Sequence, residues 1–324
     1  MPISKFSYAL WFGVYVQLSF FTPMAFAEFV KIEQPAISRN MAVDTQALCA
    51  VSSNTQAYLA DHSDDSFAVH AGDNIIPNLS LARVKETLAF MCQPTNRNQL
   101  NNVDFLHKYF DFYRWYPDKK QASLLAQKST NKVKTRLLTN IPSDQLLLTK
   151  YYTKLLNASE KRTKHYSQAL YAVPHDEQKL TLAEAELQQH QLMRYKFTRQ
   201  EIINGALLNK NIATPLIWLS EEALHDVLLQ GTGVVNVDGK IRYFNVHRNN
   251  GIAYDYAIGK REQARYWYFA EVPSVLGYGK TLDSKIALAP EVAFAGNVKT
   301  LGLGKLFLIN YNVDGVIEGK LGVL

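Results

Sequence analysis

The stretch QGTGVVNVDGKIRYFNV, residues 230–246, decides the fold class of this chain. Valine, isoleucine, tyrosine and phenylalanine, which are enriched in β-strands, stand on both sides of Asp238-Gly239. An Asp-Gly pair between two such runs is a strong signal for a tight hairpin turn, because both turn residues need positive φ angles. The stretch therefore predicts a β-hairpin, which the block Gly231-Thr232-Gly233 precedes.

Short apolar or β-rich segments predict further strands on both sides of this hairpin. They cover residues 146–153, 166–173, 265–272, 285–289 and 306–310. Turn signals separate the strands of the C-terminal half, as in Asn249-Asn250-Gly251.

The N-terminal part of the chain favours helices instead. Residues 28–100 are predicted to be mostly helical, with one helix over 41–61 and another from Ser80 to the residues before Pro94. Further along, Thr198-Arg199-Gln200-Glu201 is a capping box, and Ser220 opens another short helix. Helices followed by many short strands predict an α+β protein with a β-barrel component.

The densest aromatic run lies between residues 105 and 116. Phe105, Tyr109, Phe112 and Tyr116 recur at helical spacing. Such a stripe fits either a core or an aromatic ligand platform, and aromatic side chains dominate cores. We therefore predict that this stripe packs into the core.

Composition places the chain among globular proteins. Its 324 residues are 47% apolar, which is too many for a disordered chain, and the length allows about two domains. The net charge of +6 suits an anionic partner. Because no single basic stripe dominates, the charge does not indicate a nucleic-acid-binding protein.

The first 27 residues predict a secretory signal peptide. Lys5 is followed by an apolar stretch over 6–21, and Ala25-Phe26-Ala27 offers a small-residue cleavage site. The alternative is a transmembrane anchor, but the stretch is short for the ~20 residues of a span. We predict cleavage near Ala27, export to the periplasm and no membrane span thereafter.

Export affects how the two cysteines are interpreted. In an oxidising compartment Cys49 and Cys92 are able to form a disulfide that joins the two predicted N-terminal helices. Two buried free thiols are the alternative, since the sequence does not supply the distance between the Cα atoms.

Common catalytic and cofactor motifs are missing from the sequence. There is no H-E-x-x-H or C-x-x-C motif, and the eight histidines are scattered singly, so no metal site is predicted. Gly302-Leu303-Gly304-Lys305 lacks the spacing of a P-loop, and the Gly231-Thr232-Gly233 block lacks the third glycine of a dinucleotide fingerprint. We therefore predict no cofactor.

A set of short blocks runs in order through residues 101–310. They are Leu148-Thr149-Lys150-Tyr151-Tyr152, Ser159, Leu170-Tyr171, Pro174, Phe197-Thr198-Arg199-Gln200-Glu201-Ile202, Gly205-Ala206-Leu207, Trp218-Leu219, Gln230-Gly231-Thr232-Gly233, Asp238-Gly239, Asn250-Gly251, Tyr254 and Ile258-Gly259-Lys260. Each block is short, but the ordered set resembles the membrane-bound lytic murein transglycosylase A (MltA) family.

The resemblance implies a fold in more detail. Family members have a double-psi β-barrel domain with a second β domain inserted into it, and the glycan strand lies between the two. Transferred to this chain, the implied division is a signal peptide over 1–27, an N-terminal helical region over 28–100, a barrel domain over 101–174 and 266–324, and an inserted substrate-groove domain over 175–265.

The resemblance also implies a reaction. Members cleave the β-1,4 bond between N-acetylmuramic acid (MurNAc) and N-acetylglucosamine (GlcNAc) in peptidoglycan, or murein, and leave 1,6-anhydro ends without using water. One carboxyl group first donates a proton to the leaving oxygen and then accepts one from the sugar's 6-hydroxyl. The implied partners are peptidoglycan glycan strands, with cell-wall proteins as further candidates.

By the same resemblance, nine residues line or shape the substrate groove. They are Tyr151, Tyr152, Gln230, Gly231, Thr232, Gly233, Asn250, Gly251 and Tyr254. Glycines allow the backbone to approach a sugar closely, and amide or hydroxyl side chains form hydrogen bonds with sugar hydroxyls. The alternative roles are turn geometry for the glycines and alternating core and surface positions for the tyrosines.

The resemblance fails at the family's three C-terminal aspartates, which include the catalytic one. The aligned positions hold Ala289, Asn312 and Val323. None of these side chains is able to transfer a proton as a carboxyl group does. A shifted register makes Asp314 the candidate catalytic residue.

Three hypotheses follow from this loss. The chain is a lytic transglycosylase of impaired activity that uses Asp314, with Glu318 and Glu291 as reserve carboxylates. Alternatively, it is an inactive family member, a pseudoenzyme, that binds peptidoglycan or partner proteins in the periplasm. The third hypothesis, an unrelated exported binding module, requires the ordered blocks to arise by chance.

Overall fold

The structure is a computed structural model that describes residues 28–70, 76, 79–149, 152–208 and 210–324. The predicted signal peptide over 1–27 and the predicted site residue Tyr151 lie outside the described residues. Helices and strands both contribute substantially, which confirms the α+β class.

Ten α-helices occur among the described residues. They are α1 Thr45–Asp61, α2 Leu81–Cys92, α3 Pro94–Arg97, α4 Val103–Tyr109, α5 Lys119–Lys128, α6 Lys132–Thr139, α7 Leu182–Leu187, α8 Arg199–Ile203, α9 Glu221–Gln230 and α10 Val298–Leu301. Single 3-10 turns lie at His175–Glu177, Met193–Tyr195 and Leu282–Ser284. None of the helices in the described ranges has both the length and the apolar character needed to cross a membrane.

The same part of the chain contains eleven strands. They are β1 Glu28–Ile32, β2 Asn40–Met41, β3 Phe112–Tyr116, β4 Leu155–Asn157, β5 Gln168–Tyr171, β6 Pro215–Leu219, β7 Thr232–Val237, β8 Lys240–Asn249, β9 Trp267–Val272, β10 Leu306–Val313 and β11 Val316–Val323. They form the sheets β1-β3, β10-β11-β2, β4-β7-β8-β9 and β5-β6. These pairings close no barrel among the described residues, so the double-psi β-barrel stays a prediction.

The chain divides into two compact units. The first contains residues 28–30 and Arg114–Leu147, including helices α5 and α6, and Arg114 pairs with Asp144 at 3.3 Å within it. The second contains residues 31–113 and Leu148–Leu324. The candidate site lies entirely within this second unit.

The four-stranded sheet of the second unit is built on the predicted hairpin. Strands β7 and β8 pair antiparallel, and the turn residues Asp238 and Gly239 have φ angles of 51° and 85°, which confirms the Asp-Gly turn. The side chains of Val235, Phe244 and Phe269, one from each of three adjacent strands, are fully buried. They belong to a core that helix α9 also covers.

The predicted helix starts are confirmed in this region. The Thr198 hydroxyl accepts a hydrogen bond from the Glu201 amide, and the Glu201 carboxylate accepts one from the Thr198 amide, so α8 has a complete capping box. Ser220 caps α9 by accepting a hydrogen bond from Ala223 N. Each cap satisfies backbone donors that lack partners inside the helix.

A second core joins the N-terminal helices to the C-terminal strands. Leu48 and Leu59 of α1, Leu88 of α2, and Leu321 and Val323 of β11 are buried together. The N-terminal helices and the C-terminal strands therefore share one core. Strand β2 pairs in parallel with the edge of β11.

A disulfide joins Cys49 in α1 to Cys92 at the end of α2, with 5.3 Å between the Cα atoms. This geometry decides between the two alternatives that the sequence leaves open. The bond closes a segment of 43 residues and fixes the two helices to each other.

Two predicted strands differ from the structure. Residues 285–289 contain only an isolated bridge between Leu276 and Ala287, because their backbone pairing with residues 275–278 is too short to form a strand. Residues 146–149 and 152–153 contain no strand, and the first strand after them is β4, which begins at Leu155.

The aromatic run also differs from its prediction. Helix α4 ends at Tyr109, Phe110 is extended with φ −118° and ψ 139°, and the following aromatic residues form strand β3. Pairing of β3 with β1 supplies backbone hydrogen bonds that override the helical spacing. Tyr109 is 49% exposed, so the stripe does not form one core face.

The disulfide gives the first testable prediction. Replacing both cysteines by serine in a Cys49→Ser/Cys92→Ser variant removes the cross-link that restricts the unfolded chain. We expect the free energy of unfolding to fall by about 2–4 kcal/mol, measured by urea denaturation. Reductant should destabilise the wild type but not the double variant, and an equal effect on both would contradict the assignment.

Lys305 gives a second prediction, which concerns how the stability of the protein depends on pH. Burial lowers the pKa of Lys305 to about 8, below the ~10.4 expected in the unfolded chain. The unfolded state therefore binds more protons between these values, so this group makes stability rise with pH there. Below the pKa that Lys305 has in the folded protein, the buried ammonium charge of Lys305 destabilises the folded state.

We expect Lys305→Met to raise the free energy of unfolding by about 1–2 kcal/mol at pH 7. This increase in the free energy of unfolding should shrink as the pH is raised above the pKa of Lys305 in the folded protein. Denaturation at several pH values measures it. The control is Lys299→Met, at an exposed position in α10. A gain that is the same at every pH would show that Lys305 does not titrate as expected.

Candidate functional site

A cavity of about 600 Å³ lies between strand β8, the turn at Met193–Tyr195 and the loop over residues 279–285. Charged and titratable side chains make up much of its lining. They are Glu186, Arg194, His247, Arg248, Lys280 and Lys285. Tyr195 and Trp267 add two aromatic rings.

An irregularity in β8 brings adjacent side chains into this cavity. Val246 pairs with Phe269 and Arg248 with Tyr268, so His247 is an extra residue in a β-bulge. In a regular strand neighbouring side chains point to opposite faces, whereas a bulge redirects them. All three residues from Val246 to Arg248 line the cavity as a result.

A buried carboxylate lies behind the arginines of the lining. Glu177 is completely buried, and its Oε2 atom is 2.8 Å from Arg194 Nε and 3.3 Å from Arg248 Nη1. Arg248 also donates to the Leu180 carbonyl at 2.6 Å. Removing one partner of such a buried pair costs about 3–5 kcal/mol, because the remaining charge stays in the interior.

Each of the three guanidinium nitrogens of Arg194 donates a hydrogen bond in this arrangement. Besides Glu177, it donates to the Asn249 carbonyl at 2.5 Å and to the Tyr195 hydroxyl at 2.6 Å. Its guanidinium also lies 4.1 Å from the Tyr195 ring centroid. Arg194 therefore holds Tyr195 and the end of β8 in place.

On the opposite side of the cavity, Asp65 anchors Lys280. Asp65 is 2% exposed, accepts hydrogen bonds from the hydroxyls of Tyr58 and Tyr278, and lies 3.4 Å from Lys280 Nζ. Burial opposes ionisation, but the hydrogen bonds outweigh it and the pKa of Asp65 is lowered. This network links the cavity loop to helix α1.

The two remaining basic groups of the lining are His247 and Lys285. Burial, and then the charge of Arg248, lowers the pKa of His247, so the imidazole is neutral at pH 7. Burial likewise lowers the pKa of Lys285. No ion pair or hydrogen bond of the Lys285 ammonium is found within the described ranges, in contrast to Lys280.

Gly251 is the predicted site residue that lines the cavity. Its φ angle is 76°, and a Cβ atom there would lie 2.6 Å from Tyr195 Cδ1. Glycine is therefore required for the turn and for close contact with the aromatic ring. This is consistent with a groove-shaping role.

Asn250 shapes the site from the interior. It is 1% exposed, its Nδ2 atom donates to the Phe197 and Ala264 carbonyls, and its Oδ1 atom accepts from Tyr266 N. The amide ties three backbone segments together and is fully occupied. It supports the cavity wall without facing the cavity.

The block Gln230-Gly231-Thr232-Gly233 forms the turn from α9 to β7. Gly231 ends the helix in the left-handed conformation and accepts a hydrogen bond from Val246 N at 3.0 Å. Thr232 accepts a hydrogen bond from the buried Asn245 side chain, and Gly233 packs on Val227 and Leu170. The block therefore lies behind Val246 and supports it.

The two predicted site tyrosines that the structure describes, Tyr152 and Tyr254, are exposed. Tyr254 is 36% exposed and its ring lies 5.0 Å from that of Tyr256, on the loop after Gly251. Tyr152 is 73% exposed. Neither is among the residues that line the cavity.

Asp314 lies at the tip of the hairpin between β10 and β11. Asp314 and Gly315 have φ angles of 50° and 89°, as in a tight hairpin turn, and Asp314 is exposed. It is not part of the cavity lining, and its catalytic role stays a prediction.

The positions aligned with the family's aspartates do not converge on one point. Asn312 pairs with Ile317 near the hairpin tip, whereas Val323 pairs with Leu306 at its other end. The six-residue offset between Ile317 and Val323 spans about 20 Å of strand. Val323 is 1% exposed in the second core. No group of three or more potential metal-binding side chains was found in the part of the chain that the structure describes.

The sequence analysis missed most of the residues that line the cavity. Arg194, Tyr195, His247, Arg248 and Lys285 belong to no recognised motif. Tyr195 had a weak signal, since it lies two residues before the block that begins at Phe197, whereas Trp267 lies beyond the last of the blocks. The bulge that directs His247 inward has no signature in the local sequence.

Comparison with known proteins supports the resemblance. Residues 147–265 match the sequence model of the MltA specific insert domain. The crystal structure of MltA from Neisseria gonorrhoeae has a TM-score of 0.51 and 13% identity, and covers 93% of this chain and 83% of its own. This likeness shows a shared fold.

Two further structures are similar at lower scores. The membrane-bound lytic murein transglycosylase from Agrobacterium tumefaciens has a TM-score of 0.47 and 13% identity, over 83% of this chain and 79% of its own. Escherichia coli MltA with bound chitohexaose has a TM-score of 0.46 and 13% identity, over 91% and 82% respectively. No curated protein matches this chain.

The contact between Gly251 and Tyr195 gives a third prediction. Gly251→Ala adds a methyl group against the ring at a positive φ angle, and we expect it to lower the free energy of unfolding by about 2–4 kcal/mol. The matched control is Gly239→Ala, which has φ 85° with no atom within 4 Å of the added Cβ. It should cost only about 1–2 kcal/mol. Equal losses in the two variants, measured by urea denaturation, would contradict the contact.

Proposed function

We propose that the chain belongs to the MltA family, whose specific insert domain matches residues 147–265, and that it binds peptidoglycan glycan strands in the cavity. We further propose that cleavage of the lytic transglycosylase type is impaired in it. The cleavage in question breaks the MurNAc-GlcNAc β-1,4 bond without water and leaves 1,6-anhydro ends. The observation that carries the proposal is the position of the cavity, whose β8 wall belongs to the matched segment.

The cavity has the chemistry of a saccharide site. Tyr195 and Trp267 offer aromatic rings on which the apolar faces of sugars are able to pack. The exposed polar side chains around them offer hydrogen bonds to hydroxyl groups. Its volume of about 600 Å³ accommodates a few sugar rings.

The described lining of the cavity is poor in carboxyl groups, one of which the reaction requires. Transglycosylation needs one positioned carboxyl group that acts as acid and then as base. Among the described residues that line the cavity, Glu186 is the single carboxylate, and it is exposed on α7. The aligned aspartate positions hold Ala289, Asn312 and Val323. These facts support impaired cleavage.

A purely binding role is the second candidate function, and the same missing acid favours it. An inactive family member would hold glycan strands, or a cell-wall protein partner, in the periplasm. Export through the predicted signal peptide, the division into barrel and inserted domains, and the double-psi barrel form part of this proposal. Asp314 remains the candidate for any residual catalysis.

The fourth prediction concerns binding to purified murein sacculi and cleavage of their glycan strands. We expect the mature protein to sediment with sacculi and to release few or no 1,6-anhydromuropeptides, measured by mass spectrometry. Failure to sediment would contradict glycan binding. Robust release would contradict impairment, and loss of that release in Asp314→Ala, but not in Glu186→Gln, would identify Asp314 as the acid.

A further inference from the structure

The cations around the cavity exceed the carboxylates that neutralise them. One carboxylate, that of Glu177, serves the two guanidinium groups of Arg194 and Arg248. Lys280 is paired with Asp65. Lys285 lines the cavity without a counter-ion in the described ranges.

These cations differ in their ability to contact a ligand. Each of the three guanidinium nitrogens of Arg194 already donates a hydrogen bond, to Glu177, the Asn249 carbonyl and the Tyr195 hydroxyl. Arg248 is only 9% exposed and contributes mainly its positive field. Lys285 is left as the group that is able to form a direct ion pair with a ligand in the cavity.

Half-buried ammonium groups are costly unless an anion pairs with them. The Lys285 backbone is fixed by close packing, because a Cβ at Gly279 would lie 2.5 Å from Lys285 Cα. The position of this charge is therefore built into the loop. Glu186, the carboxylate among the lining residues of the described chain, is exposed on α7.

We propose that Lys285 is a specificity-determining residue of this cavity, which holds a carboxylate of the glycan strand at its ammonium group in the field of Arg248. This inference rests on the proposed function and names a residue that recognises the strand. Neutral saccharides made only of GlcNAc would lack the group that pairs with Lys285.

Two sources supply such a carboxylate in peptidoglycan. One is the lactyl group of MurNAc in glycan strands freed of peptide, and the other is the carboxylates of the stem peptides. Both present the same chemistry to an ammonium group, namely a charge-assisted hydrogen bond. Ligands that carry one or the other separate the two sources.

Isothermal titration calorimetry with three ligands tests the inference. The ligands are chitohexaose, a peptide-free MurNAc-GlcNAc hexasaccharide, and a peptide-bearing muropeptide oligomer. We expect at least one acidic ligand to bind about tenfold or more tightly than chitohexaose. The tighter acidic ligand identifies the source of the carboxylate.

Substitution of Lys285 completes the test. Lys285→Met should weaken binding of the acidic ligand about tenfold and so remove its preference over chitohexaose. The matched control is Lys240→Met, an exposed lysine at the start of β8 that does not line the cavity. Lys285→Gln serves as a second variant if the methionine variant does not fold.

The outcomes separate the inference from the proposed function. Equal affinity of the wild type for all three ligands, or an acidic preference that survives in both Lys285 variants, would overturn the carboxylate site while leaving glycan binding intact. Failure of all three ligands to bind would overturn the proposed function, and the inference with it.

Discussion

The buried carboxylate of Glu177 is the interaction on which the candidate site depends. It pairs with Arg194 and Arg248 from two different segments of the chain, and so fixes the turn at Met193–Tyr195 against the bulged strand β8. Arg194 in turn holds Tyr195, whose ring fills the space left open by Gly251. A buried ion cluster of this kind contributes little net stability, but it specifies geometry because breaking it leaves a charge in the interior.

The same cluster bears on the proposed function, in which the cavity binds a glycan strand and cleavage is impaired. The deep carboxylate is occupied by two guanidinium groups and is held away from any ligand. The groups left for a ligand include ammonium, imidazole and aromatic groups, which bind saccharides and anions well, and the exposed carboxylate of Glu186. Proton transfer to a glycosidic oxygen requires a carboxyl group in contact with it. We therefore propose that a cavity with this lining holds a strand rather than cutting it.

Local elements were predictable from the sequence because their causes are local. The Asp238-Gly239 hairpin, the capping box at Thr198 and the two N-terminal helices each follow from a few adjacent residues. The cavity was not predictable in this way. Its lining comes from distant segments, its key side chains are directed by a bulge, and Asn250 turned out to support the wall from within. Tertiary packing, which decides all three, leaves no recognisable pattern in the sequence.

We propose that this chain holds an acidic glycan strand in the cavity beside the Glu177 cluster. A crystal structure of the protein with a peptide-free MurNAc-GlcNAc tetrasaccharide tests it most directly. The claim predicts sugar rings against Tyr195 and Trp267, with a lactyl carboxylate at ion-pair distance from Lys285 Nζ. Saccharide bound elsewhere on the molecule, or bound in the cavity with its carboxylates directed to solvent, would contradict it.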